Sequence, residues 1–579
     1  MRAEAKLIDL PDKAGVFDTS LAEPRLQDWK EWMLRSPEEL AGVDPEGVRA
    51  HADPGLRGRL AGAGVGLETL TARMVRAGLV TPTKRAPGVR GIRLMTVAKS
   101  KGQQRLVWDM RQANLTFRRP PRAKLGSVGA LASLELGEPG YFSAAATDVP
   151  NFFYSLRMPA GFEAYAVLES VDFTYVRQLL EAEGFPCGDW PADADAFGCR
   201  CLPMGFSWAP LLAQTVLEHV VAEAGLAGEC ELVHHREQSL ALKRWATLCY
   251  LDDFTVLVKR ASQAAARHAA GGLMARVKRV LDEVGLGSHK DQAGESIEVL
   301  GVLIDASAGQ VTLRPLPGRF SEVLAATREV LRRRSIEVHT LQRLVGHWAW
   351  WLQLCRPLYS VLQEVYPILI DSGGYGSIQL PAAVRRELRL LLHLAPCLRC
   401  KLSWPLSPKV HMVDAGPEFG AVVTTTLWPA PTFSEEVAPP PRRKWALALQ
   451  RRWGRQEHNN LTEGRTVLWA VRRCARAGVR EKRCVIYTDS LVVLGAFTKG
   501  RSSSRALNRL CRCYAALCLA FRIRPILKYV PSAENLADGP SRGIRYPCVA
   551  PETKAKGLAA SGRPPGLAEP GGAGPAPGP

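Results

Sequence analysis

The stretch Tyr250-Leu251-Asp252-Asp253 sets two adjacent carboxylates between two apolar runs, Thr247 to Leu251 and Phe254 to Val258. An apolar run, a short turn and a second apolar run read as a β-hairpin, here with both acids at its tip. Like charges side by side repel, so a cation is the natural reason to hold them there. A third carboxylate comes earlier, in Thr147-Asp148-Val149-Pro150-Asn151-Phe152-Phe153-Tyr154, and Leu202-Pro203-Met204-Gly205-Phe206 lies between the two. Asp148, Asp252 and Asp253 together offer donors for two Mg²⁺ (or Mn²⁺) ions, a pair that activates an attacking oxygen and stabilises a leaving one in phosphoryl transfer.

The bulk properties agree with a phosphate-rich partner. The 579 residues carry a net charge of +20, and such an excess favours polyanions, because neutralising phosphates releases counterions. The 14 cysteines form no regular framework, and Cys249, Cys484 and Cys518 sit in apolar runs as small core residues. That usage fits a reducing compartment. Cys397-Leu398-Arg399-Cys400 has half of a zinc spacing, without a second ligand pair nearby. No secretory leader pattern opens the chain and no apolar run reaches the ~18 residues of a membrane span, so a soluble cytoplasmic or nuclear protein is expected.

Ordered as they are, these motifs resemble the palm of a reverse transcriptase over roughly residues 80 to 545. The resemblance implies a right-hand polymerase of fingers, palm and thumb, an α/β and α+β multidomain chain with Asp148, Asp252 and Asp253 as catalytic metal ligands. Val97 to Asn114 looks like the fingers hairpin, which makes Arg105, and after it Lys99 and Lys101, the residues expected to reach the triphosphate of an incoming deoxynucleotide. Phe153 takes the place of the family's steric gate, a flat ring that would clash with a 2′-hydroxyl; the alternative is a core aromatic, since Phe152, Phe153 and Tyr154 are consecutive. Met204, Gly205 and Tyr250 fall at substrate-contacting positions, with Met204 where many retroviral enzymes have Gln and Gly205 expected to let backbone approach the substrate. Asp189, Asp193 and Asp195 read as a solvated loop. Lys290, in Gly287-Ser288-His289-Lys290, matches the lysine that protonates the leaving pyrophosphate, and its alternative is a surface lysine. Val299-Leu300-Gly301-Val302 looks like the primer-grip strand. Leu341 to Trp351 would follow as thumb, with most of its tryptophans in the core.

Four further carboxylates recur downstream. Asp414 follows a strand ending at Val413, Glu463 opens an apolar helix, Asp489 ends the strand Cys484 to Thr488, and Asp538 sits in Val530-Pro531-Ser532-Ala533-Glu534-Asn535-Leu536-Ala537-Asp538. Acids at strand ends and helix starts converge on one sheet edge, and four of them suit two metals for phosphodiester hydrolysis. The set resembles the metal-binding acids of a type-1 RNase H domain. The family's His shortly before the last acid is missing, with Ser532 in that region, and the closing segment looks most like DIRS-like retrotransposon enzymes.

The expected organisation is an N-terminal extension of unknown role (1–80), fingers and palm (81–315), a helical thumb and connection (316–404), an RNase H-like domain (405–545) and a disordered Gly/Pro/Ala-rich tail (546–579). The expected function is RNA-directed DNA synthesis, a nucleotidyltransferase with a ribonuclease H endonuclease. Its partners would be an RNA template, a DNA primer, the RNA–DNA hybrid and deoxynucleotides, with no membrane. Two rivals stay open: a decayed, non-catalytic nucleic-acid-binding retroelement remnant, and an RNA-dependent RNA polymerase, which Phe153 and the second acid set oppose. No protease, integrase or recombinase signature accompanies them.

Overall fold

The computed structural model describes residues 8–41, 43, 65–98, 103–137, 139–232, 240–307, 309–374, 376–439 and 445–544. It is a mixed α/β and α+β multidomain protein built around three sheets. The tail from 546 onwards, for which disorder is expected, lies outside the described residues, as do Lys99 and Lys101.

The central sheet runs in the order Cys230–Glu231, Trp245–Tyr250, Asp253–Arg260, Tyr141–Asp148, His289–Gly294. Its middle strands bury both faces. Ala145, Val256 and Val258 enter one core with the helices Ala209–Glu223 and Gln263–Glu283, whereas Ala144, Ala146 and Leu257 enter a second core with Trp348 and Leu352. Successive strand side chains point to opposite faces, so a two-sided core demands an unbroken apolar run. That explains why Phe254 to Val258 shows no alternation. Trp245–Tyr250 and Asp253–Arg260 are joined by a two-residue turn, Leu251-Asp252, with Leu251 at φ 57°. The turn thus holds one acid rather than the two expected, because Asp253 is already paired in its strand.

The stretch preceding residue 80 packs into the first core through Ile8, Phe17, Leu26, Trp29 and Met33. Its Ile8–Asp9 strand runs parallel to Gln104–Asp109 and sets Asp9 opposite Arg105. A second sheet, Ser296–Val299, Val302–Asp305, Thr312–Pro315 and Cys400–Lys401, packs with the helices Pro317–Arg332, Val338–Leu352 and Ala382–Leu394. Here the expected strand Val299 to Val302 is instead a hairpin turn: Leu300 and Gly301 both take positive φ, 50° and 73°, the backbone a tight two-residue turn requires. Trp348 and Trp351 are buried, as expected for core tryptophans.

The third sheet has the order Ala446–Arg452, Phe419–Thr426, Lys409–Ala415, Lys482–Thr488, Ile523–Tyr529; the first three strands are antiparallel and the last two join in parallel. Helices Asn459–Arg476 and Arg505–Phe521 cover one face. This sheet is fastened to the rest by a buried ion pair. Arg483 and Glu135, each 3% exposed, stand 3.7 Å apart. Arg483 also donates to the carbonyls of Leu134 and Leu402, and Glu135 accepts from the N–H and hydroxyl of Ser434, at 2.7 Å each.

Removing one partner of such a pair strands a desolvated charge. Glu135→Ala is expected to lower unfolding stability by about 3–5 kcal/mol, read in urea denaturation. Combining it with Arg483→Met should recover most of that loss; a double variant as unstable as the single one would show that the charge is not the cause.

Candidate active sites

The first acid cluster follows from strand register. Tyr250 pairs with Asp253, Asp253 with Asp148, and Asp148 with His289, so one row crosses four strands at the sheet's end. Directly opposed like charges destabilise a sheet, so the register concentrates repulsion here. Asp253 is pushed up to about 7, by burial first and then by Asp252 and Asp148. Asp252 is raised by burial too, against its own backbone N–H and with Asp148 adding to the rise. Asp148 is answered by a cation and an imidazole: Lys290 Nζ lies 2.5 Å from its Oδ2 and His289 Nδ1 lies 3.2 Å from the same atom. Lys290 reaches it from a φ of 54°, where the strand register shifts.

Buried Gln214 holds the turn in place. Its Oε1 accepts from Leu251 N–H at 3.0 Å and its Nε2 donates to the Cys249 carbonyl at 3.2 Å. The Asp252 carbonyl in turn accepts from Val149 N–H at 3.0 Å, which ties the turn to the residue after Asp148.

Asp148 and Asp252 line a cleft of about 840 Å³ with Arg105, Phe153, Met204 and Lys290. All three consecutive aromatics contribute to the lining; Phe152 and Tyr154 are otherwise buried, the latter donating to the Leu106 carbonyl at 2.7 Å, and Phe153 is the most exposed of them. Asp9 joins the lining beside Arg105. Two expected contacts are placed elsewhere. The Tyr250 ring packs edge-on against Trp350, 6.2 Å between centroids, away from the cleft lining. Gly205 has φ 118°, and a Cβ there would meet the Trp108 carbonyl oxygen at 2.1 Å. The protein's own backbone therefore already requires a glycine here. Asn114 locks that loop, donating to the Gly205 carbonyl at 3.0 Å and accepting from Ser207 N–H at 2.9 Å.

The second cluster closes more tightly. Lys409–Ala415 and Lys482–Thr488 are parallel, with His411 beside Ile486 and Met412 beside Tyr487, and the same offset brings Asp414 level with Asp489. Glu463 enters from the first turns of Asn459–Arg476. Carboxylate oxygens of Asp414, Glu463 and Asp489 all lie within 4.8 Å of one another, and among the described residues this trio alone meets that spacing. Asp414 is pushed up to about 6 by burial and, against a hydrogen bond from Ser541, by Asp489 and Asp538. Glu463 is pushed up to about 9 by burial, Asp414 and Asp489, and its Oε2 is buried without a hydrogen-bond partner among the described residues. Crowded, desolvated oxygens with one left unpartnered fit a hard divalent cation. Asp538 stands beside the trio, held by Arg542 at 2.9 Å. Asn535, unanticipated from sequence, donates to Asp414 Oδ1 at 3.3 Å and to the Val413 carbonyl at 3.1 Å. Ser532 Oγ donates to Asp489 Oδ2 at 2.7 Å. Cys400, of the half zinc spacing, is buried with its thiol on the Ala132 carbonyl at 3.4 Å.

No family model and no curated protein matches the chain. Among solved structures, a foamy viral protease-reverse transcriptase dRH in complex with double-stranded DNA is similar over 91% of this chain and 80% of that one, at 13% identity and a TM-score of 0.41. The foamy viral protease-reverse transcriptase with an RNA/DNA hybrid aligns over 87% of this chain but 56% of its own, at 13% identity and TM-score 0.41. Its complex with double-stranded DNA aligns over 80% and 82%, at 14% identity and TM-score 0.41.

A carboxyl raised on folding leaves the fold undisturbed below its ordinary value, 4.5 for Glu463, and withdraws stability as pH rises from there through about 9. In EDTA, the thermal midpoint of the wild type is therefore expected to fall relative to that of Glu463→Gln between pH 5 and 9, and millimolar Mn²⁺ should remove the difference in slope. Parallel pH profiles in EDTA would rule out a strained Glu463.

Proposed function

We propose that this chain is an RNA-directed DNA polymerase with a fused ribonuclease H, of a retroelement and closest in kind to DIRS-like retrotransposon enzymes. The observation that carries the reading is the recurrence of one arrangement: two separate sets of desolvated carboxylates, in the expected order, each at the end of a sheet. Asp148, Asp252 and Asp253 would hold one pair of Mg²⁺ or Mn²⁺ ions, and Asp414, Glu463, Asp489 and Asp538 the other. Bound ions would activate the attacking oxygen and neutralise charge at phosphorus. The +20 charge supports RNA, DNA and hybrid partners.

The chain's own residues do the rest. Arg105 lines the cleft with a guanidinium suited to bidentate phosphate contact. Lys99 and Lys101 remain secondary candidates from sequence. Phe153 presents a ring to the cleft and excludes a 2′-hydroxyl by contact; Met204 completes the wall beside it. Lys290, the cation on Asp148, gives its proton to the departing oxygen. In the second site Ser532 and Asn535 orient Asp489 and Asp414 through neutral donors.

Primer extension on RNA with deoxynucleotides tests the reading. Asp252→Asn and Asp253→Asn should each reduce extension by about 10²–10³-fold while hybrid binding persists. A folded, template-binding wild type that never extends identifies the decayed remnant instead. Phe153→Ala should admit ribonucleotides while deoxynucleotide extension continues; unchanged discrimination would make Phe153 a wall residue only. Asp489→Asn should abolish cleavage of the RNA strand and leave extension intact, and loss of both would tie Asp489 to folding rather than to hydrolysis.

A further inference from the structure

A second cavity, of about 390 Å³, lies away from both acid clusters, at the seam between the Gln353–Val361 segment, residues 397–404 and the third sheet with its helices. Five cations line it: Arg356, Arg399, Lys401, Arg522 and Arg524, and no carboxylate does. Glu481 answers Lys401 and Arg522 from outside the lining. Arg356, Arg399 and Arg524 have no carboxylate partner among the described residues; Arg524 donates to the Cys400 sulfur at 3.0 Å. Two of these guanidiniums are half-buried and close enough to oppose each other's charge: Arg356 is lowered by burial and also by Arg524. Arg483, behind them, is lowered to about 10 by burial and by Arg524 as well, but has Glu135 as its counterion. The Arg356 guanidinium lies against Gly129, where a Cβ would meet it at 2.5 Å.

Trp404 belongs to the same wall. Trp404 Nε1 is buried with no acceptor among the described residues, and Trp404 lines the cavity. Leu354, Phe497, Leu519 and Ile526 form an apolar part of the remaining wall, beside Gln353, Thr498 and Tyr514. Desolvated cations without counterions cost free energy unless an acceptor-rich anion meets them. Two unanswered guanidiniums match a dianion, and a phosphomonoester carries about −1.5 to −2 at pH 7 with three acceptor oxygens. The volume and apolar wall suit a body larger than the phosphate alone.

We propose that this cavity binds a nucleotide-sized organic phosphomonoester, its phosphate on Arg356 and Arg524 and its apolar body against Phe497, Leu519 and Ile526. The site is separate from the polymerase and hydrolytic readings and requires neither. Titration calorimetry of the full chain in EDTA tests it, with deoxyadenosine monophosphate, deoxyadenosine and inorganic phosphate as probes. The nucleotide should bind, with affinity weakened at least about tenfold in Arg356→Gln and in Arg524→Gln and unchanged in Arg105→Gln, which removes the cleft's phosphate contact. Deoxyadenosine should not bind at the same concentration. Absence of nucleotide binding, equal binding by deoxyadenosine, equal binding by inorganic phosphate, or loss in Arg105→Gln instead would each overturn the proposal. Should the glutamine variants unfold, Arg356→Lys and Arg524→Lys decide: each keeps the charge and removes the planar fork, so a several-fold weakening supports the site and an unchanged affinity in both rejects it.

Discussion

Repulsion between carboxylates stripped of water is the constraint around which this molecule is arranged. In water such groups separate; here strand pairing forbids it. Asp148 cannot move from Asp253 without breaking a ladder eight residues long, and Asp414 cannot leave Asp489 without breaking a parallel pair in the middle of a sheet. The opposing costs are taken up differently at the two places. The central sheet recruits the Lys290 cation and the His289 imidazole onto Asp148 and lets Asp253 rise to about 7. The third sheet ties Arg542 to Asp538, so that its charge reaches Asp414 only through space; Asn535 and Ser532, which donate to Asp414 and Asp489, are neutral, and Glu463 rises to about 9. Burial of these sheets on both faces provides the rigidity that makes the crowding sustainable.

The seam between the sheets poses the complementary problem with the opposite sign. Arg483, Arg356 and Arg524 gather where the Gln353–Val361 segment meets the third sheet, and only Arg483 has a buried acid. Glu135, at the edge of the central unit, is thus both a fastening and a charge correction. It accepts from Ser434 as well, so one carboxylate bridges the central unit, the third sheet and the segment 433–437. The end of Leu491–Lys499 is pressed on the same seam: a Cβ on Gly500, at φ 75°, would meet the Arg356 carbonyl oxygen at 1.8 Å. Contact this close leaves little room for the units to slide past one another.

How much of this could be read in advance depends on the range of the interaction. Strand ends and helix starts are local, so Tyr250 to Asp253, Lys409 to Asp414 and the Asp489 strand were all legible from apolar runs and their flanking acids. Partners supplied from a distance were not. Gln214 sits in an apolar helix and nothing beside it announces that it clamps a turn 37 residues on. Asp9 reaches Arg105 through a two-residue parallel strand too short to carry a pattern. Glu135 and Arg483 are 348 positions apart by their numbers and each reads as an ordinary surface charge. Gly205 and Leu300-Gly301 were visible as glycines, but the reason for each, a carbonyl at van der Waals contact or a turn, belongs to the folded chain.

Ser532 shows what a single missing residue means physically. Where the resembled family carries an imidazole, this chain offers a hydroxyl, fixed in the short Ser532–Glu534 turn and donating to Asp489 Oδ2 at 2.7 Å. A hydroxyl does not titrate near neutral pH, so it adds no positive charge that would compete with a cation for the trio. An imidazole would do the reverse on protonation: it would pair with the acids and help to eject whatever they hold. On the proposed reading the second site therefore trades an assisted release for a more permanent charge balance. Its turnover would be governed by the acids themselves, and chiefly by Glu463, the one carboxylate in the trio with a buried oxygen that no residue described in the structure satisfies.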